Sequence, residues 1–263
     1  MKKQFDEQGF VFLSSLISHD DCTDLVARMR ELTHRLCPSD ASHTFEAGSL
    51  RQSSDEFFLN SANKISFFFD KNVSNAKGAS SSSFNKLNKV GHALHDLCPV
   101  YKKFSYQEKF FLIMRELGHK KSHLLQSMFI FKQPLFGDGV PMHQDATFIY
   151  TEPSSVIGLW FALDDANTDN SCLYVMPGGH KGPLQCRFKR CDEGMKFTDQ
   201  NRVRWPIDEF IPLCAKRGDA IILHGLLPHF SHLNRSQHTR FAYTLHFIDR
   251  ACHYPRSNWL TLS

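Results

Sequence analysis

The chain has 263 residues, 41% of them apolar and 24 of them phenylalanine, with a formal charge of +4. That is enough for a sizeable aromatic-packed core, and the charge is too mild and too evenly spread to point to nucleic acid. No apolar run approaches the roughly 20 residues of a membrane helix, and Met1-Lys2-Lys3-Gln4-Phe5-Asp6 lacks the apolar core of a signal peptide.

Eight cysteines, at 22, 37, 98, 172, 186, 191, 214 and 252, form neither CxxC nor a zinc-finger spacing. The expectation is an intracellular, cytoplasmic, soluble protein with free thiols and no membrane partner. Leu262-Ser263 does not match the usual peroxisomal ending.

Taken in chain order, Phe10-Val11-Phe12-Leu13 reads as a short strand. Ser18-His19-Asp20-Asp21 supplies an N-cap and first-turn acids for a helix near Cys22–Leu36, with Leu25, Met29 and Leu32 on one face and Pro38 ending it. Phe57-Phe58 and Ile65–Phe69 look like β segments. Gly78-Ala79-Ser80-Ser81-Ser82-Ser83 reads as a low-complexity surface loop, with the 78–90 segment a candidate active-site lid. From Val90 to Leu117 the pattern is helical.

After Gly118 the character changes. Leu125–Phe131, Ile157–Leu163, Cys172–Met176, Ile207–Leu213, Ala220–Leu223 and Phe241–Ile248 read as strands separated by Gly, Pro, Asn and Asp clusters. Helices followed by many strands predict a mainly β fold, a double-stranded β-helix of jelly-roll or cupin-like type with flanking N-terminal helices. The chain is read as a single domain over 1–263, helical and loop-rich to about 120, with the β-helix core at about 121–250.

His143-Gln144-Asp145 carries the strongest local chemistry. In an extended segment residues i and i+2 share a face, so an imidazole and a carboxylate can meet one ion. The second histidine must come from a distant strand, among His180, His224, His229, His232, His238, His246 and His253. His229 is favoured. It follows the turn and strand Gly218–His224, and eleven residues beyond it Arg240 opens an alternating strand.

In that strand Phe241, Tyr243, Leu245 and Phe247 share one face, and Arg240, Ala242, Thr244 and His246 the other. An arginine followed by two small residues leaves space with a cation at one end, the shape a short dicarboxylate requires. Two histidines and one carboxylate leave about three of six octahedral positions open, for a bidentate 2-oxo acid and O₂. The 2-oxo acid reduces O₂ as it loses CO₂, and the resulting oxidant attacks a substrate C–H bond.

The sequence resembles the phytanoyl-CoA dioxygenase family over most of its length. The segments that carry the likeness include 88–95, 126–134, His143-Gln144-Asp145-Ala146, Tyr150-Thr151-Glu152-Pro153, Cys172-Leu173, His224-Gly225, Ala242-Tyr243-Thr244 and Asn258-Trp259-Leu260. The resemblance implies a double-stranded β-helix, iron(II) as cofactor, 2-oxoglutarate and O₂ as co-substrates, and hydroxylase-type chemistry. It places the metal on His143, Asp145 and His229, and the distal carboxylate of 2-oxoglutarate on Arg240 with Ser231. Lys89, Met128 and Trp160 would line the same pocket, with Lys89 brought in by closure of the 78–90 loop.

Three features depart from the family pattern. Ser171 stands where glycine is common, Pro177-Gly178-Gly179-His180 has glycine where serine is common, and the chain stops soon after Trp259, which bears on C-terminal contacts to substrate or between subunits. Asp145 is the carboxylate that halogenating relatives lack, so hydroxylation is expected.

Two competing readings are a metal-dependent hydrolase or isomerase on a cupin-like barrel, since His-Asp-His also suits Zn²⁺, and a non-catalytic 2-oxoglutarate sensor. Arg240 beside small residues argues against the first, and an intact triad against the second. The partner is expected to be a small-molecule substrate. Phe57, Phe58, Phe67–Phe69 and Phe148 are candidates for an apolar substrate wall, with core packing as their other role.

Overall fold

The computed structural model describes residues 1–34, 44–45, 55–70, 83–135, 137–192, 194–199, 201 and 204–262. Helix α1 (Lys2–Gln8) leads into strand β1 (Phe10–Leu13). Ser18 caps helix α2 (His19–Thr33). Its hydroxyl accepts from Asp21 N at 3.0 Å, and the Asp21 carboxylate accepts from Ser18 N at 3.1 Å.

Such a reciprocal cap contributes about 1 kcal/mol. Ser18→Ala is therefore expected to lower the urea-unfolding free energy by about 1 kcal/mol while leaving ligand binding intact. An unchanged unfolding midpoint would show that the cap contributes nothing. Leu36, Cys37 and Pro38, at the expected end of this helix, lie outside the described residues, as does the serine-rich stretch 78–82.

Strand β2 (Thr44–Phe45), helix α3 (Glu56–Leu59), strand β3 (Ile65–Asp70) and strand β4 (Leu87–His92) come next, and two expectations are corrected here. Phe57-Phe58 is helical, because Asp55 Oδ1 accepts from Phe57 N and Phe58 N and so starts a turn. The helical stretch begins only at α4 (Leu94–Leu97) and continues in α5 (Pro99–Ser105) and α6 (Glu108–Leu117). Residues 87–92 are a strand because both of their edges are paired, with β3 and with β5 (Ser122–Lys132).

Beyond β5 run β6 (Val140–His143), β7 (Ile157–Ala162), β8 (Leu173–Val175), β9 (Cys186–Cys191), β10 (Gly194–Asp199), β11 (Ile211–Leu213), β12 (Ala220–His224), β13 (His229–Ser231) and β14 (Arg240–Asp249). The sequence pattern does not predict the β9–β10 hairpin. β11 starts later than expected because Ile207–Glu209 forms a 3₁₀ turn.

Eight strands make one sheet in the order β1-β12-β7-β14-β5-β4-β3-β2, and four make a second in the order β11-β8-β13-β6. One face of the large sheet presents residues such as Phe129, Phe161 and Tyr243 to Leu25, Tyr101, Phe104 and Phe110 of the helices. The other face, with Trp160, Ala162, Ile221 and Ala242, meets Leu173 and Val175 of the small sheet. This is the jelly-roll architecture with flanking helices that the alternation predicts. β14 is buried along its whole length, covered by helices on one side and facing the second sheet on the other. No helix among the described residues is long and apolar enough to cross a membrane.

Candidate functional site

The register of β6 and β13 sets His143 directly opposite His229. Gln144 stays extended (φ −116°, ψ 135°), so Asp145 returns to the side of His143 before the 3₁₀ turn Asp145–Thr147 begins. Gln144 points away and is fully buried. Its Nε2 donates to Leu226 O at 2.9 Å and to Pro183 O at 3.2 Å, and its Oε1 accepts from Gln185 N at 2.8 Å. These bonds clamp the turn that carries Asp145.

Ligand atoms of His143, Asp145 and His229 lie within 4.8 Å of one another. Asp145 Oδ1 is 3.6 Å from Nε2 of each histidine. Nδ1 of His143 bonds Pro141 O, and Nδ1 of His229 bonds Leu227 O, both at 2.9 Å. A carbonyl can only accept, so each Nδ1 carries the proton and each Nε2 turns its lone pair toward the shared point.

Burial pushes His229 down to about 4, which keeps it neutral at pH 7. Burial works against ionisation of Asp145. The neighbouring His229 and His246 rings, with His143 beside them, nevertheless hold it well below the usual carboxylate range. Two imidazole nitrogens and a carboxylate are the donor set that a divalent transition metal takes.

The triad opens into a cavity of about 460 Å³, which Lys89, Met128, Trp160, Ser231 and Arg240 also line. Arg240 is 1% exposed. Its Nη2 donates to Ser171 O, while its buried Nε and Nη1 have no partner among the described residues. Burial lowers its guanidinium to about 10, so it is still charged at pH 7. A buried cation with unmade bonds is costly, and a carboxylate in the cavity would satisfy it.

The phytanoyl-CoA dioxygenase (PhyH) family model matches residues 5–242. The chain belongs to the phytanoyl-CoA dioxygenase family. A phytanoyl-CoA dioxygenase of Arabidopsis thaliana is 40% identical over 258 residues, covering 97% of this chain and 90% of that protein. Phytanoyl-CoA dioxygenase domain-containing protein 1 of Mus musculus is 37% identical over 270 residues, covering 98% and 92%. Among solved structures, the non-heme alpha-ketoglutarate-dependent carbocyclase SnoK from nogalamycin biosynthesis shares the fold. Its TM-score is 0.65 at 17% identity, over 97% of this chain and 85% of its own. The protein is thus an enzyme of the 2-oxoglutarate-dependent dioxygenase class.

In this dioxygenase Lys89 does not ride on a loop. It sits within β4, 8% exposed and paired in register with Ile130, so closure of a lid is not what brings it to the cavity. Burial pulls its ammonium down to about 7, and an anion nearby would restore its charge. Its Nζ lies 5.4 Å from the Phe58 ring and 5.1 Å from the Phe68 ring. Trp160 places its ring 5.4 Å from the Arg240 guanidinium. Met128 stands opposite Thr244 across β5 and β14.

Of the candidate wall, Phe58 and Phe148 reach the cavity, while Phe68 and Phe69 are core residues. The departure at Ser171 has a physical reading: its backbone is left-handed at φ 78°, where glycine costs least. Its carbonyl serves Arg240, and its hydroxyl donates to His232 O.

Three cavity residues of the dioxygenase lie beyond those the sequence assigns to the site. Lys132 lies opposite Arg240 in register, buried, with Nζ donating to Asp138 O at 2.6 Å and to His232 O at 3.2 Å. Gln126 and His246 face each other further along the same strand pair. The period of two that puts Ala242 and Thr244 inward also puts His246 inward, and counting by two from Met128 along β5 reaches Gln126 and Lys132.

Proposed function

We propose that residues 1–263 form one Fe(II)- and 2-oxoglutarate-dependent hydroxylase unit acting on a small or acyl-type substrate with O₂. Bound iron(II), 2-oxoglutarate and O₂ would together supply the oxidant for C–H hydroxylation, with succinate and CO₂ as co-products. His143, Asp145 and His229 are assigned to the metal. Arg240, with Ser231, is assigned to the distal carboxylate of the diacid, and Trp160, Met128 and Lys89 to the walls around it.

One observation carries this reading. A fully buried guanidinium, two of whose nitrogens have no partner among the described residues, lines the same cavity as the His-Asp-His cluster. Hydrolysis would have no use for that cation. The N-terminal part is joined to the β-helix through β1, which pairs with β12, and through β4, which pairs with β5; this supports a single unit. The seven described cysteines are all free, which supports a reducing, intracellular setting.

The substrate end is apolar, with Phe58, Phe148, Phe197 and Trp259 on its wall. Asp145 is the one carboxylate among the described lining residues, so a cationic substrate would find no second carboxylate to pair with there. Ligand pockets for one drug-sized molecule span roughly 300–1,000 Å³. A cavity of about 460 Å³ that must also hold the diacid suits a compact molecule, or one apolar end of a longer one.

Anaerobic protein given Fe(II) and 2-oxoglutarate is expected to develop a weak visible charge-transfer band, then to release succinate when O₂ is admitted. A band without succinate across a broad substrate panel would favour a sensor. Turnover with Zn²⁺ alone would favour a hydrolase.

A further inference from the structure

The carboxylate of Asp145 has two differently occupied oxygens. Oδ1 faces Nε2 of His143 and of His229, at 3.6 Å each. Oδ2 faces Nε2 of His246 at 3.4 Å. We propose that His246 is a positioning residue that holds Asp145 Oδ2 and so keeps the carboxylate a one-oxygen ligand. This rests on the metal reading of the same site.

An ionised carboxylate can only accept, so the ring nitrogen facing it carries the proton. The other nitrogen, Nδ1, is buried and has no partner among the described residues. Asp145 is therefore the ring's one polar contact among the described residues, and that contact orients it. His246 reaches this place from the inward face of β14, where it pairs in register with Gly158 of β7 and Gln126 of β5. A Cβ on Gly158 would lie 3.2 Å from Asp145 Oδ2 and 3.6 Å from His246 Nε2. The absent side chain leaves the space in which the carboxylate and the imidazole meet.

The chemical consequence concerns coordination number. Two imidazoles and one oxygen leave three positions of an octahedron, the number a bidentate 2-oxo acid and O₂ require. A carboxylate free to turn could close on the ion with both oxygens and take one of them. A ring N–H on Oδ2 opposes that turn. His246 is not itself assigned as a ligand: its Nε2 addresses the other oxygen, and the cluster of mutually close ligand atoms comprises His143, Asp145 and His229.

The test uses the full chain with Co(II) as the probe, because its visible bands report coordination number. His246→Leu and His246→Gln fill similar volumes and differ in an N–H able to face Oδ2. His246→Leu is expected to weaken Co(II) by about 10–100-fold, as loss of an outer-shell partner does. It should also weaken 2-oxoglutarate binding to the Co(II)-loaded protein at least about tenfold, with an altered Co(II) spectrum. His246→Gln is expected to recover most of both affinities and the wild-type spectrum.

Gly158→Ala, whose Cβ would crowd Oδ2 at 3.2 Å and meet the His246 ring only at ordinary contact distance, is expected to weaken 2-oxoglutarate in the same direction, and it remains informative if the histidine variants misfold. Unchanged affinities in His246→Leu, or a Gln variant as impaired as the Leu variant, would overturn the proposal. So would a loss of Co(II) as complete as that of His143→Ala, which would make His246 a ligand. Wild-type protein that binds no Co(II) would instead remove the metal reading itself.

Discussion

Arg240→Ala is expected to raise the Kd for 2-oxoglutarate by at least roughly 30-fold while leaving Fe(II) affinity nearly unchanged. The size follows from burial. Removing one partner of a buried, hydrogen-bonded charge pair costs about 2–5 kcal/mol, and each 1.4 kcal/mol is about tenfold in affinity. Arg240 is 1% exposed, with Nε and Nη1 unpartnered among the described residues, so a carboxylate bound there meets buried donors.

The selectivity follows from position. Arg240 opens β14 opposite Lys132, whereas His246, near the other end of that strand, is the residue that touches Asp145. Arg240→Lys is expected to fall between wild type and alanine, because the charge survives but the planar fork does not. Anaerobic titration of the charge-transfer band gives the 2-oxoglutarate constant, and a separate metal titration gives the other. Equal loss of both would show that the arginine supports the metal centre rather than the diacid.

His229→Ala is expected to cost more Fe(II) affinity than the roughly 10–100-fold that loss of an outer-shell partner brings, and to abolish succinate release. Its Nε2 is 3.6 Å from the oxygen that also faces His143, and its Nδ1 proton is committed to Leu227 O at 2.9 Å. Nothing else on β13 replaces that lone pair, since Phe230 and Ser231 follow. Isothermal titration with Fe(II) under argon measures the loss. An unchanged affinity would exclude His229 as a ligand and turn attention to His246, which already contacts Asp145.

Much of this site is readable from local pattern. The i, i+2 relation of His143 and Asp145 needs only an extended backbone at Gln144. The division of β14 into an apolar face and a face bearing Arg240, Ala242, Thr244 and His246 needs only the period of a strand. The capping box at Ser18 is equally local. Where local pattern misleads, a partner distant in sequence is responsible. Residues 87–92 are a strand because β3 and β5 claim both edges, and Lys89 is buried for the same reason. Phe57-Phe58 is the exception, turned helical by a local cap, because the nearby Asp55 satisfies the free amide groups there.

The amino-acid order by itself determined the fold class, the family, the His-Asp pair and the cation on an inward strand face, since each follows from residue type at short spacing or from whole-chain likeness. Tertiary structure alone decided how His229 comes to stand directly opposite His143, that Arg240 Nε and Nη1 find no partner among the described residues while Nη2 bonds Ser171 O, and that a third ring leans on Asp145. Those depend on register between strands far apart in the chain, and register is set by how the two sheets bury their faces against each other and against the helices.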